Sequence, residues 1–174
     1  MSGNATGRVI VFTGEGKGKT TAALGLGLRA LGQGLKVCVI QFIKARKDTG
    51  EVGMALRLGV DFEIFPMGAG FVTKPGGSEK DRALAAEALE LAWEKMRACD
   101  VLVLDEINCA IKAGLIRVHD VLSLIEHRPA GVHLVLTGRG APAELVSVAD
   151  TVTEMMNIKH AGEGGARAEK GIEY

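Results

Sequence analysis

The sequence predicts an α/β protein, a mainly parallel sheet with helices on both faces. Three observations predict it. Short apolar runs alternate with helix-like stretches along the 174 residues, the pattern of successive strand–helix–strand units. The runs VCVIQFI (37–43) and VLVL (101–104) are apolar at almost every position, as strands buried on both faces are. Finally, VIVF is followed at once by TGEGKGKTT (13–21) and then by helix-like AALGLGLRAL, a glycine-rich turn joining a strand to a helix.

Residues 9–12 form the first expected strand. A helix follows over about 19–31, with Leu24, Gly27, Leu28 and Leu31 spaced along one face, and Gly32 and Gly34 end it. The second strand is 37–43. Residues 44–59 are polar and without a clear period, and 54–58 is the stretch open to a helix. A strand over 61–65 leads into glycine-rich PMGAGFVTKPGG. Ser78 and Asp81 stand in a capping-box pattern at the head of a long helix reaching about Ala98. A strand at 101–104, a helix at 119–126 and a strand at 132–136 come next. Pro142 suits the first turn of a helix running towards Val148, 151–156 is the last strand, and the tail from Gly162 reads as loop. No linker or repeat divides the chain, so 1–174 is expected to be one domain, with 1–7 a short N-terminal tail.

Composition narrows the function classes. Hydrophobic residues make up 47% and charged residues 24%, an ordinary globular balance. Lys+Arg and Asp+Glu both number 21, and the zero net charge argues against nucleic-acid binding by bulk attraction. No apolar run approaches the ~18 residues that span a bilayer, and MSGNATGR lacks a signal-peptide core, so a cytoplasmic protein without membrane contact is expected. Cys38, Cys99 and Cys109 are odd in number and widely spaced. They match neither a disulfide framework nor a zinc site and read as free thiols.

The loop at 13–21 fits G-x-x-x-x-G-K-[ST] except that Thr13 holds the first glycine position. In such a loop, backbone N–H groups and a helix N-terminus face phosphate oxygens. The expected nucleotide contacts are Thr13, Gly14, Glu15, Gly16, Lys17, Gly18, Lys19, Thr20 and Thr21. Lys19 supplies a point charge and Thr20 a hydroxyl for Mg²⁺, while Lys17 adds a second cation. A nucleotide site needs a second half, an apolar strand ending in an acid. VLVLDE supplies it, with Asp105 and Glu106 at the carboxyl edge, where one of them would reach the metal directly or through water. TGRG (137–140) reads as a further loop on that edge, with Arg139 aimed at phosphate, and His160 after the last strand is a further candidate for nucleotide contact.

Two glycine patterns mimic a dinucleotide fingerprint. Gly25-x-Gly27-x-x-Ala30 lies inside a helix, and Gly138-x-Gly140-x-x-Ala143 has no acid at a strand end about 20 residues on. His119, His127 and His133 have no metal-ligand partners in the pattern. These residues alone leave an ATPase, a kinase, another nucleotide-using transferase and a RecA-like DNA-binding module open.

TGEGKGKTTAA, VIQFIK (39–44), VLVLDE, LTGRG (136–140), IKHA (158–161) and the terminal KGIEY together resemble the ATP:corrinoid adenosyltransferases of the CobA/BtuR type, from about Gly7 to Tyr174. The Thr-first loop is part of that family's pattern. The resemblance implies a RecA-like P-loop nucleotide-binding fold in which ATP lies in the loop in the reverse sense. The reduced cobalt, Co(I), then attacks the 5′ carbon of adenosine and expels tripolyphosphate. It implies ATP and a reduced corrinoid as substrates, Mg²⁺, and Lys19, Thr20 and Glu106 as the catalytic residues. Thr20 and Glu106 would be the metal ligands, with Asp105 beside them. It also implies a homodimer and a reducing partner of the flavodoxin or flavin reductase type. In the family a G-F-T-W segment lies near the corrinoid. The matching stretch here is Gly70-Phe71-Val72-Thr73, which marks Phe71 and Thr73 as corrinoid contacts, with threonine at the tryptophan position. This chain begins a few residues before its first strand, whereas many relatives carry an N-terminal helix over the corrinoid.

Overall fold

The computed structural model describes residues 6–46, 48–70, 72 and 74–173. Six strands, β1 (Val9–Thr13), β2 (Val37–Gln41), β3 (Phe62–Pro66), β4 (Val101–Asp105), β5 (His133–Thr137) and β6 (Thr151–Glu154), form one sheet in the order β3-β2-β4-β5-β1-β6. Every pairing is parallel. The helices are α1 (Lys19–Leu31), α2 (Gly50–Leu58), α3 (Glu79–Lys95), α4 (Ile107–Lys112), α5 (Val118–Glu126) and α6 (Ala143–Val148).

Period-two alternation inside the apolar runs sorts their side chains between two cores. Val37 and Val39 of β2, Val101 and Val103 of β4 and Val135 of β5 join Ala23 and Ala30 of α1 and Ala55 of α2 on one face. Cys38, Ile40, Leu102, Leu104, Leu134 and Leu136 meet α3, α4, α5 and α6 on the other. Small residues let the helices come close. α3 turns Ala85, Ala88 and Ala92 inward, and a Cβ at Gly27 of α1 would stand 3.1 Å from Val37 and 3.2 Å from Phe62. Gly27 is therefore a packing glycine, which disposes of the first fingerprint mimic.

The capping box forms as expected. Ser78 Oγ accepts from the Asp81 N–H at 3.1 Å, and Asp81 Oδ2 accepts from the Ser78 N–H at 2.7 Å. Elsewhere the boundaries move. α2 begins at Gly50 rather than Met54, and β2 and β6 end two residues early. Pro142 caps α6 from outside at φ −61°, ψ 147° instead of lying in its first turn. α4 and a short 3₁₀ turn at Ala161–Gly164 are additions to the expected elements. No helix among the described residues is long and apolar enough to cross a membrane.

All three thiols are free and sheltered. Burial pushes the Cys38 thiol up, the Cys99 thiol up to about 11 and, with the Glu106 carboxylate beside it, the Cys109 thiol up to about 12. An unfolded thiol loses its proton near pH 8.5. Above that pH the folded state binds more protons than the unfolded one, so the thiol contribution is intact below about pH 8.5 and is lost as pH rises through the folded values. Urea denaturation between about pH 7 and pH 10.5 should show stability falling at the alkaline end. A variant carrying Cys38→Ala, Cys99→Ala and Cys109→Ser should show a shallower fall.

Candidate functional site

The carboxyl ends of β1, β5, β4 and β2 lie side by side, and the site is built where they stop. β1 runs into the phosphate loop, which turns at Gly14 (φ 94°) and Gly18 (φ 119°), conformations open to glycine. Gly18 caps α1, and Lys19 is its first residue. The segment after β6 explains the density of glycine. The Gly16 N–H donates to the Met155 carbonyl at 2.7 Å. A Cβ at Gly14 would lie 2.4 Å from that oxygen, and one at Gly16 would lie 2.5 Å from the Met156 oxygen.

Lys19 is buried, and its ammonium donates to the carbonyls of Gly14 and Gly16 at 2.7 and 2.6 Å. Burial, and then the nearby Arg139 guanidinium, hold its pKa below the usual lysine range, against the opposing pull of Glu106, Cys109 and Glu15. Its hydrogen-bond acceptors are neutral. The charge is therefore left for an anion in the loop.

β4 delivers Asp105 and Glu106. Asp105 is fully buried, accepts three hydrogen bonds and forms one ion pair. Thr20 Oγ1 and Thr137 Oγ1 donate to Oδ1 at 2.8 and 2.7 Å, Gln41 Nε2 donates to Oδ2 at 3.2 Å, and the Lys44 ammonium forms an ion pair with Oδ2 at 3.0 Å. Glu106 is the one non-glycine residue with positive φ (63°) among the described residues, a strained turn of the kind that aims a functional side chain. Its N–H donates to Thr137 Oγ1 at 2.9 Å, and its carboxylate pairs with the Cys109 thiol within electrostatic reach of Lys19.

The loop after β5 closes the site. Gly138 (φ 129°) presses on α4, where a Cβ would lie 2.9 Å from the Cys109 nitrogen, so the second fingerprint mimic is also a packing glycine. The Arg139 N–H donates to Cys109 Sγ at 3.3 Å, and its guanidinium lies 3.1 Å from Glu15 across the phosphate loop. Thr13 has a task a glycine could not perform, since its Oγ1 accepts from the Ala141 N–H at 3.1 Å and ties the two loops together. Thr13→Val keeps the shape and removes the acceptor. It should cost about 0.5–1.5 kcal/mol of stability, read by urea denaturation, with nucleotide affinity nearly unchanged.

Thr13, Gly14, Glu15, Gly16, Gly18, Lys19, Thr20, Asp105, Glu106 and Arg139 are thus gathered at one edge. Lys17 turns outward to Glu173 at 2.6 Å, and Thr21 is exposed on α1. His160 Nδ1 accepts from the Gly162 N–H at 3.0 Å, and His160 stands within electrostatic reach of Glu173. Phe71 and Thr73 lie outside the described residues. Gln41, Lys44, Glu51, Cys109, Thr137 and Met155 were not expected at the site. Of these, Thr137 lies in the TGRG segment and Gln41 and Lys44 in the VIQFIK segment that the sequence singles out, though without a role for any of them.

Among the described residues no three His, Cys, Asp or Glu side chains converge as a metal-binding group. A magnesium ion needs fewer protein ligands, one or two oxygens completed by waters and phosphate. Thr20 fits that demand. Its proton is committed to Asp105, so its lone pairs face away from the carboxylate. Glu106 supplies a second hard oxygen donor at the same edge.

A parallel sheet, a phosphate loop after β1 and an acid-tipped β4 separated from it by β5 define a RecA-like P-loop nucleotide-binding protein. The solved structure of the flagellar accessory protein FlaH from Methanocaldococcus jannaschii shares this fold, with a TM-score of 0.58 at 14% identity over 86% of this chain and 71% of that one. The family model of ATP:corrinoid adenosyltransferase BtuR/CobO/CobP matches residues 5–174. This chain belongs to that family. It is 42% identical to the corrinoid adenosyltransferase of Pseudomonas aeruginosa over 97% of its length and 84% of the relative's. It is 39% identical to the corrinoid adenosyltransferase CobA of Salmonella typhimurium, over 97% of this chain and 86% of the relative. Identity to the corrinoid adenosyltransferase of Escherichia coli K12 is 37%, at the same coverages.

Proposed function

We propose that the chain, working as one domain, transfers the 5′-deoxyadenosyl group of ATP to the Co(I) of a reduced corrinoid and releases tripolyphosphate. The observation that carries the proposal is a complete phosphate loop in a chain that matches the adenosyltransferase family from residue 5 to residue 174. The cobalt electron pair forms the Co–C bond to the 5′ carbon, and the C–O bond to the α-phosphate breaks with its electrons going to tripolyphosphate. Co(I) is itself the nucleophile, so no serine, cysteine or general base is required of the protein.

The chain's task is to hold a leaving group. Backbone N–H groups of 14–20 other than that of Gly16, the α1 N-terminus and the Lys19 ammonium meet the charge that grows on the departing phosphates. Arg139 and Lys17 reach it by leaving Glu15 and Glu173. Thr20 and Glu106 would hold Mg²⁺, with Asp105 acting on it through Thr20 and water, and the ion would neutralise phosphate charge. Phe71 and Thr73 are the corrinoid contacts of the proposal, and His160 a nucleotide contact. A homodimer, a reductant of the flavodoxin or flavin reductase type and a cytoplasmic location complete it.

The test is anaerobic incubation with Mg-ATP and chemically reduced cob(I)alamin. Light-sensitive adenosylcobalamin with one equivalent of tripolyphosphate supports the proposal. ADP or orthophosphate with the corrinoid unchanged would overturn it in favour of a P-loop ATPase or kinase.

A further inference from the structure

Three oxygens surround the ammonium of Lys44: Asp105 Oδ2 at 3.0 Å, Thr20 Oγ1 at 3.4 Å and Glu51 Oε1 at 3.7 Å. Lys44 follows β2 onto the carboxyl edge of the sheet, and Glu51 comes from the first turn of α2. Two carboxylates and a hydroxyl make the kind of shell that a hard cation takes. The hydroxyl is the telling member. Thr20 gives its proton to Asp105 and its lone pair to Lys44, so the lone pair that a divalent ion would use is already engaged by a positive charge.

We propose that Lys44 is a placeholder cation, holding the metal position while the loop is free of nucleotide and passing to the phosphate chain when the metal–nucleotide complex enters. A divalent ion on Thr20 Oγ1 would compete with the ammonium for that oxygen and repel its charge at close range, so metal entry displaces Lys44. Lysine suits the task. It carries a compact point charge on a flexible stem, and the Lys44 side chain is 31% exposed, with room to swing. The displaced ammonium would find its next anion in the triphosphate. Lys44 would thus keep Asp105 neutralised in the free enzyme and add a third lysine to the bound phosphates, beside Lys19 and Lys17.

This inference rests on the metal–triphosphate half of the proposed function and not on its corrinoid half. Its test uses the full chain, Mn²⁺ followed by electron paramagnetic resonance without nucleotide, and Mg-ATP followed by titration calorimetry. Lys44→Met and Lys44→Gln remove the charge and keep the length, and the second serves if the first fails to fold. In both, Mn²⁺ alone should bind about tenfold tighter or more, while Mg-ATP binds about tenfold more weakly. Unchanged or weaker Mn²⁺ binding, or unchanged Mg-ATP affinity, would overturn the placeholder and leave Lys44 a fixed structural partner of Asp105. A wild-type chain that binds no Mg-ATP would instead strike the proposed function itself.

Discussion

Lys19→Ala should lower the rate of product formation by about 10²–10³-fold, the range found when one preorganised donor to a developing negative charge is deleted. The reason lies in what Lys19 lacks. Its ammonium is buried against two backbone carbonyls, at 2.7 and 2.6 Å, with no carboxylate of the described residues in hydrogen-bond contact. Burial and Arg139 both oppose its charge, so the free protein holds a cation at a cost that a triphosphate relieves. Because charge on the leaving group grows towards the transition state, kcat should fall by more than KM rises. The fold should survive, since alanine removes a desolvated charge together with its two hydrogen bonds, and the melting temperature should change little. The rise in melting temperature expected of the wild type with Mg-ATP should shrink. Wild-type kinetics in Lys19→Ala would remove the phosphate loop from the reaction.

The parts of this site that were legible in the sequence share one property: each is a local pattern. TGEGKGKTT announces its loop through glycine spacing, VLVLDE announces a buried strand with an acidic tip, and Ser78 with Asp81 announces a helix start. The sheet was legible for the same reason, because continuous apolar runs such as those of β2 and β4 need only a few consecutive residues to read. The network around Asp105 was not legible. Gln41, Lys44 and Thr137 come from two other strands and their ends, and only the strand order β2-β4-β5 and its register bring them to one carboxylate, with Glu51 of α2 reaching Gln41 and Lys44 from outside. Nothing next to Lys44 in sequence says that its charge will stand beside Thr20, 24 residues away. α4 escaped for a different reason. Its six residues are too short to show a period, and it starts from the left-handed turn at Glu106, a conformation no local propensity favours. Met155 escaped because its role is played by a backbone carbonyl, which any residue type could supply.

Asp105 should separate stability from metal binding when it is replaced in two ways. Asp105→Ala leaves two hydroxyls, an amide and an ammonium facing a void, and breaking a buried charged network in this way costs about 3–5 kcal/mol. Chemical denaturation should show that loss, and low yield of folded protein is expected. Asp105→Asn has nearly the same shape, and the surrounding donors decide its orientation. Gln41 Nε2 and Lys44 Nζ can only donate, so the asparagine oxygen must face them. Its amide nitrogen then faces Thr20 and Thr137, whose hydroxyls can turn round and accept. Stability should therefore fall by about 1–3 kcal/mol, less than in the alanine variant. The turned hydroxyl is what harms function. Once Thr20 accepts from Asn at 105, its proton points outward, where in the wild type the lone pairs face a cation. Metal dependence should respond accordingly, with about tenfold or more additional Mg²⁺ needed for half-maximal nucleotide binding, on the scale of one charge-assisted contact at about 1.5–3 kcal/mol. A folded Asp105→Asn protein with wild-type Mg²⁺ dependence would show that Thr20 does not present its oxygen to the metal, and would leave Glu106 to hold it.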